Sequence, residues 1–346
     1  MTIKGIEIMQ EVINDINKWQ AENQPIALAT VVQTWGSAPR KEGAKMAVTP
    51  DGRMAGSVSG GCVEGTVFEE AVAALENGTP KLLHFGVADE TAWDVGLACG
   101  GTIEIFVEAL DANAYALMHE LITQDKAGAS ITVIRGPAGT VGQKLTVARD
   151  GRTIGTLGPD LDALALAAEK KLQSPGRVQL TDEVEVFVDT VRPSPTLIMV
   201  GGVHIAIALT QYAKVLGFQT IVIDPRRAFG SETRFPHVDK LIQAWPKKAF
   251  AEVEVTPETA VALLTHDPKI DDPALEVVLH SPAFYIGALG SSKTHAKRVA
   301  RLQEMGITAE QIGRIHAPIG LDISAITPEE IALSVMAEIV KAYRSS

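Results

Sequence analysis

The sequence predicts an α/β protein of two domains: an N-terminal α+β domain with an internal pseudo-repeat over residues 1–190, then a doubly wound parallel-sheet domain over residues 196–346. Three observations predict it. Lys45 to Ser59, KMAVTPDGRMAGSVS, recurs as Lys144 to Gly158, KLTVARDGRTIGTLG, with Lys, Val, Asp-Gly-Arg and Gly in register and a helical pattern after each copy. The run VRPSP, Val191 to Pro195, reads as a linker. Beyond it, strand and helix patterns alternate, which is the signature of βαβ units.

In chain order, Ile6, Met9, Ile13 and Ile16 follow helical spacing and predict an opening amphipathic helix that stops before Pro25. Ile26 to Gln33 is a buried strand running into the loop WGSAPRKEGAK, where Arg40, Lys41 and Lys45 gather positive charge. KMAV and RMAGSV around Thr-Pro-Asp-Gly form a hairpin that delivers the chain to AGSVSGGCVEG, Ala55 to Gly65. The following VEGTVFEEAVAAL is helical, so Cys62 stands at a helix N-terminus. Unpaired N–H groups and the dipole there favour thiolate, with Arg40 supporting it and Glu64 opposing it. Gly60 and Gly61 leave room for backbone to approach a ligand. The second cysteine, Cys99, precedes Gly100 and Gly101 in a mirrored Cys-Gly-Gly, and strand TIEIFVE and a helix over Ala114 to Thr123 follow. A free cysteine is more often buried packing than chemistry, and the doubled glycines balance the two readings. The second repeat has GPDLD where the first has GGCVEG, so the thiol belongs to the first copy alone.

After the linker, TLIMV, GGVHIAIALTQYAKVLG and TIVIDPRR form a Rossmann-like βαβ unit with Gly201 and Gly202 in its first turn and Asp224 closing its second strand. Val203 stands where the dinucleotide fingerprint needs glycine, which argues against close approach to a pyrophosphate. Arg226 and Arg227 would suit an extra phosphate or plain solvation. Helices are predicted over DPALEVVLHS and SKTHAKRVARLQEMG and a strand over AFYIGALG; the last helix starts at Thr327 with Pro328 and a capping-box Glu330. His266, Asp267, Asp271 and Asp272 have the chemistry of metal ligands without a regular spacing, and His295 and His316 read as structural hydrogen-bonding groups.

A net charge of −11 with no basic run argues against nucleic acid and anionic membranes as partners. The longest nearly apolar run, Leu197 to Leu209, falls short of the roughly 18 residues a spanning helix needs. The N-terminus lacks a signal-peptide pattern, so a cytoplasmic chain with reduced cysteines is expected.

GSAPR, KMAV, SGGCVEG and CGG, then IDPR, THD, YIGALGS, THAKR and HAPIGLDI, together resemble the XdhC/CoxI family, the xanthine dehydrogenase accessory proteins, across both domains. The resemblance implies a maturation chaperone rather than a catalyst. Such a protein binds the molybdenum cofactor, as molybdopterin or its dinucleotide form, shelters it during sulfuration and delivers it to an apo molybdenum hydroxylase. It implies that Cys62 and Cys99 are the functional thiols and meet molybdenum through the cofactor. A cysteine desulfurase and a second copy of the chain are expected partners. An NAD(P)-dependent oxidoreductase, favoured by the βαβ unit and Asp224, and a cysteine-dependent sulfur-transfer enzyme using Cys62 stay open beside it.

Overall fold

The computed structural model describes residues 9–38, 40–86, 101–172 and 174–345, and the chain divides into two compact units between Pro193 and Ser194. In the first unit, helix α1 (Gln10–Ala21) leads into β1 (Ala27–Trp35), β2 (Lys45–Val48), β3 (Met54–Gly56), α2 (Glu64–Asn77), β4 (Lys81–Phe85) and β5 (Thr102–Ala109). The same series then repeats as α3 (Ala112–Thr123), β6 (Gly128–Arg135), β7 (Lys144–Ala148), β8 (Thr153–Gly155), α4 (Pro159–Glu169), β9 (Gly176–Gln179) and β10 (Glu185–Val191). Each series forms a five-stranded antiparallel sheet, ordered β3-β2-β1-β5-β4 in one and β8-β7-β6-β10-β9 in the other. The fifteen-residue echo is thus the visible part of a duplication that covers the whole unit.

Alternation along the central strands gives each sheet two buried faces. In the first lobe, Ala27, Ala29, Val31, Ile103 and Ile105 pack under α2, while Leu28 and Ala47 on the opposite face pack with α1. That second face continues into Thr30 and Val32, and Val32 and Phe106 meet their counterparts Ile134 and Phe187 from the other lobe. Two lysines cross between the lobes, Lys45 buried and Lys144 partly so. Lys45 Nζ lies 2.8 Å from Asp189 of β10 and 3.2 Å from Thr30, and Lys144 Nζ lies 2.6 Å from Glu108 of β5 and 2.7 Å from Thr132. Each lobe supplies the counter-charge for the other's lysine. Lys45 is therefore an interior ion-pair residue at the start of β2, not part of the basic loop the sequence suggests.

The second unit has strands β11 (Thr196–Val200), β12 (Gln219–Ile223), β13 (Lys240–Ile242), β14 (Thr259–Leu263), β15 (Tyr285–Ala288) and β16 (Ile315–His316) in one sheet, order β13-β12-β11-β14-β15-β16, all parallel. This is the doubly wound order with its switch point between β11 and β14. The accompanying helices are α5 (His204–Val215), α6 (Pro246–Phe250), α7 (Pro268–Val278), α8 (Ser292–Glu304), α9 (Ala309–Ile312) and α10 (Pro328–Ser345). Strands buried on both faces explain the continuous apolar runs TLIMV and TAVAL. The Thr327–Glu330 capping box forms as read: Thr327 Oγ1 accepts from Glu330 N at 3.2 Å, and the Glu330 carboxylate accepts from Thr327 N at 2.9 Å. Helix α7 starts earlier than its pattern suggests, because Asp267 caps it through Lys269 N at 2.9 Å and Pro268 takes the first position. Among the described residues no helix is long and apolar enough to cross a membrane.

Candidate functional site

The thiol loop, residues 57–63, joins β3 to α2, and its shape is set by one carboxylate. Glu64, the first residue of α2, turns back into the loop and accepts hydrogen bonds from Ser57 Oγ at 2.6 Å, Ser59 N at 2.9 Å, Gly61 N at 2.8 Å and Val58 N at 3.3 Å, and from the Ser59 hydroxyl. Ser59 Oγ in turn accepts from the amides of Cys62 and Val63, each at 3.0 Å, and Ser57 Oγ accepts from Gly60 N at 2.8 Å. Burial alone would raise the Glu64 carboxyl, but the bonds from Ser57 and Ser59 outweigh it and bring it down to about 2. Gly60 and Gly61 have φ of 78° and 116°. Only glycine adopts that backbone without strain, so here the pair makes the turn that raises Cys62 to the surface. Cys62 is exposed.

This differs from the expectation for a helix N-terminus in one physical respect. Such a terminus offers its amides to an anion, yet the amide of the N-cap Val63 and the loop amides of Gly61 and Cys62 just before it already go to Ser59 and Glu64. Glu64 is thus the internal anion of its own loop, and its role is to hold the backbone under the thiol. Nothing in the sequence singles out Ser57 and Ser59, because the Ser59–Glu64 separation is longer than that of a capping box. The second lobe keeps the device. Asp162 accepts from Thr156 Oγ1 and Leu157 N at 2.7 Å each, and Thr156 Oγ1 accepts from Gly158 N at 2.9 Å, with no thiol in the loop.

The depressed Glu64 value fixes a pH dependence. A carboxyl whose folded value lies below its unfolded value of about 4.5 stabilises the fold above that pH, and the contribution fades as pH falls from about 5 toward 2. Discounted for partial exposure, Glu64→Gln should cost about 1–2 kcal/mol at pH 7. Paired urea titrations should show that difference at pH 7, a smaller one near pH 3 and little below about pH 2; a constant difference across the range would remove Glu64 as the organiser of the loop.

The other predicted residues fall as follows. Arg40 pairs with Glu11 on α1, the helix covering the sheet face opposite α2. Gly101 is buried just ahead of β5, whose Thr102 pairs in register with Trp35 at the exit of β1. Ser57 N bonds the carbonyl of Lys45 at 2.9 Å, so the thiol loop leaves the sheet at this same end. Cys99 and Gly100 lie outside the described residues. Trp35 is 48% exposed beside His84, with ring centroids 6.5 Å apart.

In the second unit the glycine turn is closed by the chain itself. Asp224 is fully buried and accepts from Gly202 N at 2.8 Å, Arg226 N and Nε at 2.9 Å each, and Arg226 Nη2 at 2.7 Å. Burial would raise its carboxyl, and the bonds from Arg226 and Gly202 hold it below the ordinary carboxylate value. A side-chain carbon at Gly202 would stand 2.4 Å from the Phe229 carbonyl oxygen, and Arg234 Nη2 bonds the Gly202 carbonyl at 3.1 Å. Arg226 lies over the Phe229 ring at 4.1 Å, while Arg227 is exposed. Gly202 therefore packs against the 226–235 segment, while a side-chain carbon at Gly201 would stand 2.4 Å from the Thr265 methyl. The acidic group that would meet a ribose hydroxyl in a dinucleotide fold has both oxygens occupied.

The acidic residues near the switch point are likewise paired within the chain, whereas His295 Nδ1 and Arg298 Nε and Nη1 are buried without a hydrogen-bond partner among the described residues. Asp272 takes Arg301 in a two-pronged pair at 2.6 and 3.0 Å, Asp271 accepts from the Thr265 hydroxyl and faces Arg298 at 3.6 Å, and Asp267 caps α7. Burial and the Arg298 charge lower the His295 value, and His316 lies 3.3 Å from Glu338. Among the described residues no three His, Cys, Asp or Glu side chains are placed to hold a metal ion.

Comparison with known proteins is consistent across both units. Residues 197–339 match the model of the XdhC Rossmann domain, and residues 19–86 that of the XdhC and CoxI family. The chain is 30% identical over 325 residues to a protein of Bacillus subtilis (strain 168) named as a probable xanthine dehydrogenase subunit, spanning 92% of this chain and 94% of that protein. It is 29% identical over 313 residues to the molybdenum cofactor insertion chaperone PaoD of Escherichia coli (strain K12), spanning 90% of this chain and 81% of that one. A crystal structure described as a xanthine dehydrogenase from Bacillus halodurans shares the fold, with a TM-score of 0.65 over 96% of each chain at 24% identity. With relatives aligned along nearly the full length and a family model matching in each unit, the chain belongs to the XdhC and CoxI family.

Proposed function

We propose that this chain is an insertion chaperone that carries the molybdenum cofactor to a xanthine dehydrogenase-type molybdenum hydroxylase, with the Cys62 loop as its cargo contact. The observation that carries the reading is an exposed thiol on a loop whose backbone is fixed from beneath by Ser57, Ser59 and Glu64, in the one lobe of the duplication that has a cysteine there. A soft sulfur ligand held at the surface suits a molybdenum centre that must be taken up and released. The name of the Escherichia coli relative points the same way. Cys99 joins the site in this proposal, because the chain re-enters the sheet through Gly101 at the end from which the thiol loop leaves. We propose further that the chain shelters the cofactor during sulfuration, with a cysteine desulfurase as sulfur donor.

The competing readings have less geometry behind them. A sulfur-transfer enzyme needs a base on its nucleophile, and among the described residues no side chain hydrogen-bonds to the Cys62 sulfur. An oxidoreductase needs the ribose acceptor that Asp224 no longer offers.

The test is to purify the protein from cells that make the cofactor, denature it, and record the released fluorophore. The loaded protein is then mixed with an apo-hydroxylase and hydroxylase activity is followed. Oxidised-pterin fluorescence and activation of the apoenzyme are expected. Release of NAD(P) without pterin would replace this reading with the oxidoreductase one.

A further inference from the structure

Helices α5 and α10 lie side by side on the second unit and bury Ala206, Leu209 and Ala213 with Val335 and Ile339. Between their outer faces runs an apolar groove of about 400 Å³, with Tyr212, Val215 and Leu216 on one wall, Leu333 and Val340 on the other, and Met336 in its floor. Val215 is 62%, Leu216 44% and Leu333 50% exposed, three large apolar side chains gathered on one face.

The pattern along α10 identifies the occupant. At 100° per residue, Glu329, Leu333, Met336, Ala337, Val340 and Arg344 fall in a stripe about 100° wide on this face. Acids occupy the first turn, Glu329 and Glu330, and Arg344 the last. Glu330 is engaged in its own cap and Glu338 faces Tyr285 and Gly320, which leaves Glu329 and Arg344 at the two ends of the stripe with no ion pair among the described residues. A two-fold axis passing between Met336 and Ala337 sets Leu333 of one chain on Val340 of the other, Met336 on Ala337, and Glu329 on Arg344, twice over. The stripe is complementary to itself reversed.

From this self-complementarity we infer that the α5–α10 face binds a second copy of this chain, with the two α10 helices antiparallel. An acidic chain repels its own copies over most of its surface; here the contact is apolar at its centre and charge-neutral at its ends, so the repulsion is relieved where the copies touch. The four helices then cover one another's grooves as in a bundle.

Sedimentation equilibrium on the full chain tests this. The wild type is expected at twice the 36.8 kDa of one chain. Leu333→Glu, at a half-exposed position that the fold of one chain tolerates, should weaken association by roughly 100-fold while the far-UV circular dichroism spectrum stays unchanged. Glu329→Arg should weaken it about 10-fold and Glu329→Arg/Arg344→Glu should restore it. A wild type that stays monomeric through the micromolar range, or a Leu333→Glu variant that remains dimeric, overturns the interface. Failure of the double reversal to recover the wild-type constant overturns the antiparallel register.

Discussion

Cys62→Ser is expected to abolish most retention of the molybdenum cofactor, and adding Cys99→Ser is expected to remove little more. If both sulfurs contact one cargo, the first loss already forfeits the geometry on which the second contact depends, so the two free-energy effects fall well short of adding. The expected loss for the single variant is at least about 10-fold in bound pterin, the factor given by about 1.4 kcal/mol of binding free energy. Serine keeps the side chain's size and Cys62 is exposed, so the Ser59–Glu64 scaffold under it is undisturbed and the variant should melt with the wild type. The measurement is pterin fluorescence per mole of protein for the wild type, both single variants and the double. Full retention by Cys99→Ser, or strictly additive losses, would detach Cys99 from the site and leave the Cys62 loop as the whole of it.

The largest stability effect should come from Arg298→Met. Arg298 is 1% exposed, donates to the Leu289 carbonyl at 2.9 Å, and is the cation facing Asp271, itself 2% exposed. Burial pushes the Asp271 carboxyl up to about 6, against the Thr265 hydroxyl and the Arg298 charge that hold it down. Removing the arginine strands a buried carboxylate, which costs about 3–5 kcal/mol at pH 7. Because the folded value lies above the unfolded 3.8, ionising Asp271 costs stability as pH rises from about 4 to 6, the opposite sense to Glu64. The Arg298→Met penalty should therefore shrink toward pH 4, and Asp271→Asn should relieve much of it at pH 7. Denaturant titrations followed through Trp245, the one tryptophan after residue 193, read this out. A penalty that is the same at pH 4 and 7, with no relief from Asp271→Asn, would mean that Arg298 matters only as packing.

What the sequence made legible was chemistry local to a few residues. The Asp-Gly-Arg turns exposed the duplication because a hairpin turn needs specific residues at specific positions, and the Thr327–Glu330 cap is written in four letters. The alternation of TLIMV, a helix and TIVID was enough for the parallel sheet. What stayed hidden depends on chain far away. Nothing near Lys45 announces Asp189, and nothing in IDPRR says that Phe229 and Arg234 will fold back over the glycine turn. Gly60 and Gly61 mark the thiol loop for a reason partly different from the one their sequence context suggests, since they serve the turn and Glu64 the scaffold. Those roles required knowing which way a single carboxylate points.

The exchange of counter-charges between the lobes has a consequence for how this duplication can change. Lys45 leans on Asp189 and Lys144 on Glu108, so an altered charge on either side strands its partner in the interior of the other lobe. The facing surfaces are thereby locked to each other as a matched set, and neither lobe can drift alone there. The outward loops at 57–63 and 156–158 carry no such mutual obligation, as each is organised by a carboxylate of its own lobe, Glu64 or Asp162. A gene doubled in this way is tied along its seam and unconstrained at its rims, which lets one rim hold an exposed thiol while its twin does without.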